Sequence, residues 1–235
     1  MKGNLYLIPV SLGDNKLNKV LPEKNFEILN EISHYIVENI RSARRFLVKA
    51  KIKTKIDDLT FYEISKHSKH SEYHKYLDAA LKGENIGVIS EAGCPGIADP
   101  GADIVAIAHE KNIKVIPLIG PSSIFLALMA SGMNGQNFAF KGYLPIKKPL
   151  RVKQLKADEL RSRNEHQTHI YIEAPYRNKA LLSDILEILN PSTKLCIAID
   201  ITLESEFIKT KSIYDWKKSI PEINKKPAIF IIQAN

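Results

Sequence analysis

The chain has 235 residues, 44% of them apolar, enough for one large or two small domains with a sizeable core. No apolar run approaches the roughly 20 residues that cross a bilayer, and two cysteines, Cys94 and Cys196, give neither a disulfide framework nor a metal-binding spacing. A formal net charge of +8 favours polyanionic partners, and without a leader-like apolar segment at the start the expected location is the cytoplasm.

Residues 4–10 (NLYLIPV) read as a strand, as do 33–40 and 59–65, with a helix over 42–51 between the last two. Residues 72–83 (EYHKYLDAALKG) form an amphipathic helix that Gly83 can end. A buried strand follows at 84–90, then a Gly/Pro-rich loop, a helix at 102–112, a strand at 113–120 and a helix at 121–132 with Pro at its start and Gly132 at its end. Beyond it come a strand (136–144), a charged helix (147–163), a strand (167–174) and a helix (175–190). Three further strands, 193–201, 205–212 and 227–234, are joined mostly by short turns, so the second half should hold a mixed sheet. The expected division is an α/β domain at 1–134 and another at 135–235.

Three loops leave carboxyl ends of strands in the first half: 9–15 (PVSLGDN), 90–101 (SEAGCPGIADPG) and 119–123 (IGPSS). Ligands collect outside such ends, so the three are expected to converge on one cleft, glycines permitting close backbone approach. Taken singly, each is also an ordinary strand-to-helix turn. A G-x-G-x-x-G fingerprint after the first strand and a Walker loop are both absent, which argues against dinucleotide and ATP chemistry by the common routes.

SEAGCPGIADPG, followed by IKVIPLIGPSSIFLALMASG and FAFKGYLP, resembles the tetrapyrrole-methylase-like superfamily of S-adenosylmethionine methyltransferases. Within it the chain is most similar to the 16S ribosomal RNA cytidine 2′-O-methyltransferase branch, whose E-x-P-x-R is matched by EAPYR at 173–177. It departs from that branch at Glu91 (for Asp), Cys94 (for Thr) and Ala98 (for Ser). VSLGD at 10–14 stands for T-P-I-G-N, ENIR at 38–41 for an acidic E-D-T-R, and the last strand lacks a Gly-Glu entry. The resemblance implies a two-lobed fold: a mostly parallel N-terminal sheet lobe, a mixed C-terminal sheet lobe and a cofactor cleft between them. It also implies a homodimer and a ribosomal RNA or small-subunit partner; with no apolar run of spanning length, no membrane partner is expected.

By the same resemblance, S-adenosylmethionine would be held by Pro9, Cys94, Ile97, Ser122 and Ser123, and by Glu173, Ala174 and Ala228 of the second lobe. Transfer to a sugar hydroxyl calls for close placement and a general base. Glu91 and then Asp99 are the candidates. Asp99 also reads as a cap before the helix at Gly101, Glu91 as a plain loop carboxylate, Cys94 as an inert buried thiol, and Ser122 as a helix opener.

Two basic clusters, Arg41, Arg44, Arg45, Lys49, Lys51, Lys53 and Lys55, and Lys147, Lys148, Arg151, Lys153, Lys156, Arg161 and Arg163, are either solvated faces or a rim that grips phosphates. Tyr143 and Tyr176 are candidates for base stacking or for the core. Trp216 reads as a packing anchor. His67, His70 and His74 share a helical spacing, but interleaved lysines favour a solvated edge, and no metal is expected. Two other functions stay open: methylation of a tetrapyrrole or other small molecule, and a catalytically silent RNA- or ribosome-binding relative.

Overall fold

In the computed structural model, which describes residues 1–64 and 70–234 and only the backbone of His70, the opening strand is β1 (Asn4–Ile8). The chain then runs through α1 (Glu23–Leu29), β2 (His34–Val37), α2 (Ile40–Lys49), β3 (Thr60–Glu63), α3 (His70–Tyr76), α4 (Asp78–Leu81), β4 (Ile86–Ile89), α5 (Gly101–Glu110) and β5 (Lys114–Pro117). These strands form a parallel sheet in the order β3-β2-β4-β1-β5.

Side chains alternate along each strand, so the sheet has two apolar faces. Tyr6, Ile8, Tyr35 and Ile89 meet Ile28 and Leu29 of α1 and Leu47 of α2 on one face. Leu5, Ile36 and Val88 meet Tyr73, Ala80, Ile104 and Ile107 of α3, α4 and α5 on the other. Gly87 allows this packing: a Cβ there would come within 2.5 Å of Ile8 Cδ1 and 3.0 Å of Tyr35.

The expected helix at 72–83 is two helices, because Leu77 (φ −97°, ψ 4°) leaves the helical region. Gly83 ends the second in a left-handed conformation (φ 100°). Helix α1 carries no sequence expectation. It is only seven residues long, and its inner face holds the buried polar Asn25, whose Nδ2 donates to Ile119 O at 2.9 Å.

The chain divides into two units, Met1–Ser122 and Ser123–Asn235. The expected division after residue 134 differs by one helix, α6 (Ser123–Ser131), which belongs with the second unit. It packs on that unit's last two strands, where Thr210 Oγ1 donates to Ser131 O at 2.7 Å.

The rest of the second unit is β6 (Phe138–Tyr143), α7 (Lys148–Glu165), β7 (Thr168–Ile172), α8 (Asn178–Ile188), β8 (Lys194–Ile199), β9 (Phe207–Ser212), α9 (Ile213–Trp216) and β10 (Ala228–Gln233). Its sheet runs β6-β7-β10-β8-β9; the first pair is parallel and the others antiparallel, so it is mixed as expected. Leu155, Leu181 and Ile185 of α7 and α8 cover Tyr171, Phe230 and Ile197. Trp216 is buried among them as the expected anchor, and its Nε1 donates to Leu195 O at 2.8 Å. No helix among the described residues is long and apolar enough to cross a membrane.

Candidate active site

Strands β1 and β4 are neighbours whose outgoing connections run in opposite directions, each crossing over the other strand. From β1 the chain passes through α1 to β2 on one side; from β4 it passes through α5 to β5 on the other. Right-handed crossovers in opposite directions put those helices on opposite faces, as the two cores record. A crevice opens at such a switch point, outside the carboxyl ends of the strands.

The loops expected to converge do so here. Val10 N–H donates to Gly93 O at 2.9 Å, joining the loops after β1 and β4. Cys94 Sγ lies 3.4 Å from Pro121 O and 3.8 Å from Gly120 O, joining the loops after β4 and β5. Pro9 is buried against Gly120, where any Cβ would collide with its ring at 2.3 Å. Gly93 (φ 73°) serves this packing: a Cβ would meet Leu12 Cδ2 at 3.2 Å and Pro121 O at 3.3 Å. Its room is filled by the protein's own loops.

Three carboxylates gather at the end of β4. Glu91 is exposed on the loop, and Ser42 Oγ, at the start of α2, donates to its Oε1. Glu38 Oε1 accepts from Glu91 N–H at 3.4 Å. Burial, then the charges of Asp99 and Glu91, push the Glu38 carboxyl up. Asp99 Oδ1 accepts from Gly96 N–H (2.8 Å) and Gly101 N–H (2.7 Å), so it fixes the turn into α5; burial outweighs both bonds and pushes its carboxyl up too. Burial, then the Asp99 charge, raise the half-buried Cys94 thiol. Ile97 is 51% exposed and Ser122 half-buried.

Next to Glu91 lies a groove of about 320 Å³ between the loop after β1 and helix α2, lined by Ser11, Leu12, Ser42, Arg45, Phe46 and Lys49 among others. The first basic cluster is thereby divided. Arg44 turns away, Nη2 pairing with Asp57 at 3.1 Å over the Phe61 ring. Arg45 and Lys49 border the groove.

The remaining expected site residues belong to the second unit. Glu173 is buried at the end of β7; its Oε1 accepts from Ala174 N–H (2.7 Å) and from Arg177 Nη2. Register puts Ala228 at the same sheet end, since Ile229 pairs with Ile172. Ser123 opens α6, in the same unit.

The second basic cluster is partly structural. Arg151 is buried against Asp184, Lys148 contacts Asp184 and Glu187, and Arg161 pairs with Glu165. Behind it His169 Nδ1 lies 3.4 Å and Lys141 Nζ 3.2 Å from the buried Asp158. Burial favours the protonated acid there, but His169 and Lys141 more than reverse it and hold the carboxyl low. Tyr143 and Tyr176 are exposed, not core. His67 and the His70 side chain lie outside the described residues; His74 is exposed. Among the described residues no His, Cys, Asp or Glu group could hold a metal ion.

Comparison with known proteins follows the same lines. No family model matches the chain. The solved structure of the methyltransferase CobJ shares the fold, with a TM-score of 0.64 at 16% identity over 99% of this chain and 94% of that one. The fold class is therefore tetrapyrrole-methylase-like. Ribosomal RNA small subunit methyltransferase I of Buchnera aphidicola subsp. Schizaphis graminum is 32% identical over 233 residues, covering 98% of this chain and 78% of the relative. The protein of the same name in Bacillus subtilis (strain 168) is 33% identical over 211 residues, 88% and 67% of the two chains. The chain belongs to the ribosomal RNA small subunit methyltransferase I family.

Proposed function

We propose that this methyltransferase uses S-adenosylmethionine to methylate a ribose 2′-hydroxyl of small-subunit ribosomal RNA, with Glu91 accepting the hydroxyl proton. S-adenosylmethionine supplies an electrophilic methyl on a cationic sulfonium. The protein's tasks are to align the acceptor, exclude water and remove the proton. The observation that carries the reading is the gathering of Glu38, Glu91 and Asp99 where the three loops meet, a local negative field in a chain of net charge +8. Such a donor set suits a sulfonium.

Glu91 is exposed enough to meet an acceptor, and Ser42 orients its carboxylate. Asp99, spent on two loop amides, is a positioning residue. Pro9, Cys94, Ile97 and Ser122 of the first unit are assigned to the cofactor; Ser123, Glu173, Ala174 and Ala228 of the second unit are candidates by the family resemblance alone. Cys94 serves by contact, since its raised thiol pKa disfavours the nucleophilic thiolate. The basic border of the groove suits a polyanionic acceptor, and the relatives named as ribosomal RNA methyltransferases favour RNA over a tetrapyrrole. A homodimer belongs to the same reading, supported by exposed Phe125 and Met129 on α6; a cytoplasmic location is proposed alongside it.

The test uses labelled S-adenosylmethionine and small ribosomal subunits from a strain lacking the gene. Label should appear in an alkali-resistant dinucleotide, the mark of a blocked 2′-hydroxyl. Glu91→Gln should lower kcat by roughly 10²- to 10³-fold, with only a small loss of cofactor affinity by calorimetry, because Glu38 and Asp99 keep most of the local negative field. Label in a base, or unchanged turnover, would overturn the assignment; no saturable heat would indicate a silent relative.

A further inference from the structure

We propose that the groove between the loop after β1 and helix α2 seats the acceptor RNA strand, Arg45 and Lys49 meeting its phosphates and Ser11 and Ser42 its sugar beside Glu91. This rests on the reading of Glu91 as the proton acceptor. Three observations carry it. First, the groove opens from Glu91 toward α2, whereas Cys94 turns toward the loop after β5. A donor held at Cys94 and an acceptor in the groove would thus approach Glu91 from two sides of one loop. Second, the volume of about 320 Å³ lies within the range of pockets that hold small ligands, and its lining mixes the hydroxyls of Ser11, Ser42 and Ser90 with the apolar Leu12 and Phe46, a mixture that suits a nucleoside.

Third, the charge fits a strand of phosphates. Glu38, Glu91 and Asp99 would repel RNA at the crevice itself, and Arg45 and Lys49 are cations at the border of that repulsion. Lys49 Nζ lies 2.5 Å from Asp14 Oδ1, but the Asp14 side chain is 99% exposed. Exposed pairs of this kind are worth little, so a phosphate can take the place of Asp14. The expectation from sequence, a rim made by both basic clusters, narrows to one helix face.

The experiment measures binding of small-subunit ribosomal RNA across salt concentrations, and methyl transfer, for the full chain and for Arg45→Gln, Lys49→Gln and their double variant. Arg161→Gln, on the other basic helix, is the control. Each groove charge removed should flatten the slope of log affinity against log salt by about 0.7. The double variant should raise KM for RNA about tenfold, leaving kcat at saturating RNA and cofactor affinity unchanged. Unchanged slope and KM would overturn the proposal, and so would an equal loss of cofactor affinity, which would give the groove to the donor. A wild-type chain that binds RNA with the expected charge dependence but transfers no methyl would refute the methyltransferase reading and leave the groove's RNA contact standing. A chain that binds no RNA would refute both.

Discussion

Replacing Arg151 by methionine tests whether the charged helix α7 serves the fold or RNA. Arg151 is 7% exposed and Asp184 3%. The guanidinium donates from Nε to Asp184 Oδ2 at 2.7 Å, and from Nη1 to Ile146 O (2.7 Å) and Pro145 O (3.2 Å). Without it, the buried carboxylate keeps Lys148 at 3.2 Å, a side chain that is 56% exposed. Breaking a buried pair from one side costs about 3–5 kcal/mol; the residual lysine places this case near 3 kcal/mol. Methionine fills most of the arginine stem's space, so a cavity adds little. The second unit should melt roughly 10 °C lower. Arg151→Met with Asp184→Leu should recover to within about 1 kcal/mol of wild type, because no charge is left buried alone. Thermal and urea unfolding of wild type, Arg151→Met, Asp184→Leu and the double variant form a double-mutant cycle. A loss under about 1 kcal/mol for the single variant, or a double variant no better than the single, would refute the argument. A double variant that binds RNA as poorly as the groove variants would return Arg151 to the nucleic-acid surface.

Gly93→Val puts a β-branched side chain at φ 73° against Leu12 and Pro121. It should destabilise the first unit by about 2 kcal/mol or more, read from urea unfolding without ligand, and wild-type stability would contradict the packing described. Glu38→Gln probes the raised carboxyl. With its folded pKa above the unfolded value, Glu38 adds stability below the unfolded pKa and loses it as pH rises through the folded one. The glutamine variant should therefore gain over wild type at neutral pH, and the gain should vanish below about pH 4. A gain that is constant with pH in urea midpoints would dissociate Glu38 from the effect.

Much of the fold is written in periodicity. Val88 and Ile89 lie in a run apolar on both faces, and Phe230 and Ile231 in another, so both strands could be read directly. What escaped depends on polar groups whose partners are distant in sequence. Asn25 interrupts the apolar face of α1 because its partner is the carbonyl of Ile119. Arg151 reads as one more surface cation until Asp184 is brought beneath it. At the candidate site, the motif loop pointed to Glu91 and Asp99 as candidates, but not to their neighbours. Glu38 and Ser42 reach Glu91 because β2 lies beside β4 in register, Val37 opposite Ile89. Strand order is a nonlocal property, and no pattern within either segment encodes it.

The bond from Val10 to Gly93 runs backbone to backbone. Side-chain replacements that spare the local conformation leave that fastening whole. Ser11 and Leu12 on one side of it, and Cys94 and Ile97 on the other, can therefore vary in a lineage while the two loops stay joined. A chain so built can exchange the side chains that face a ligand without unfastening the loops that carry them.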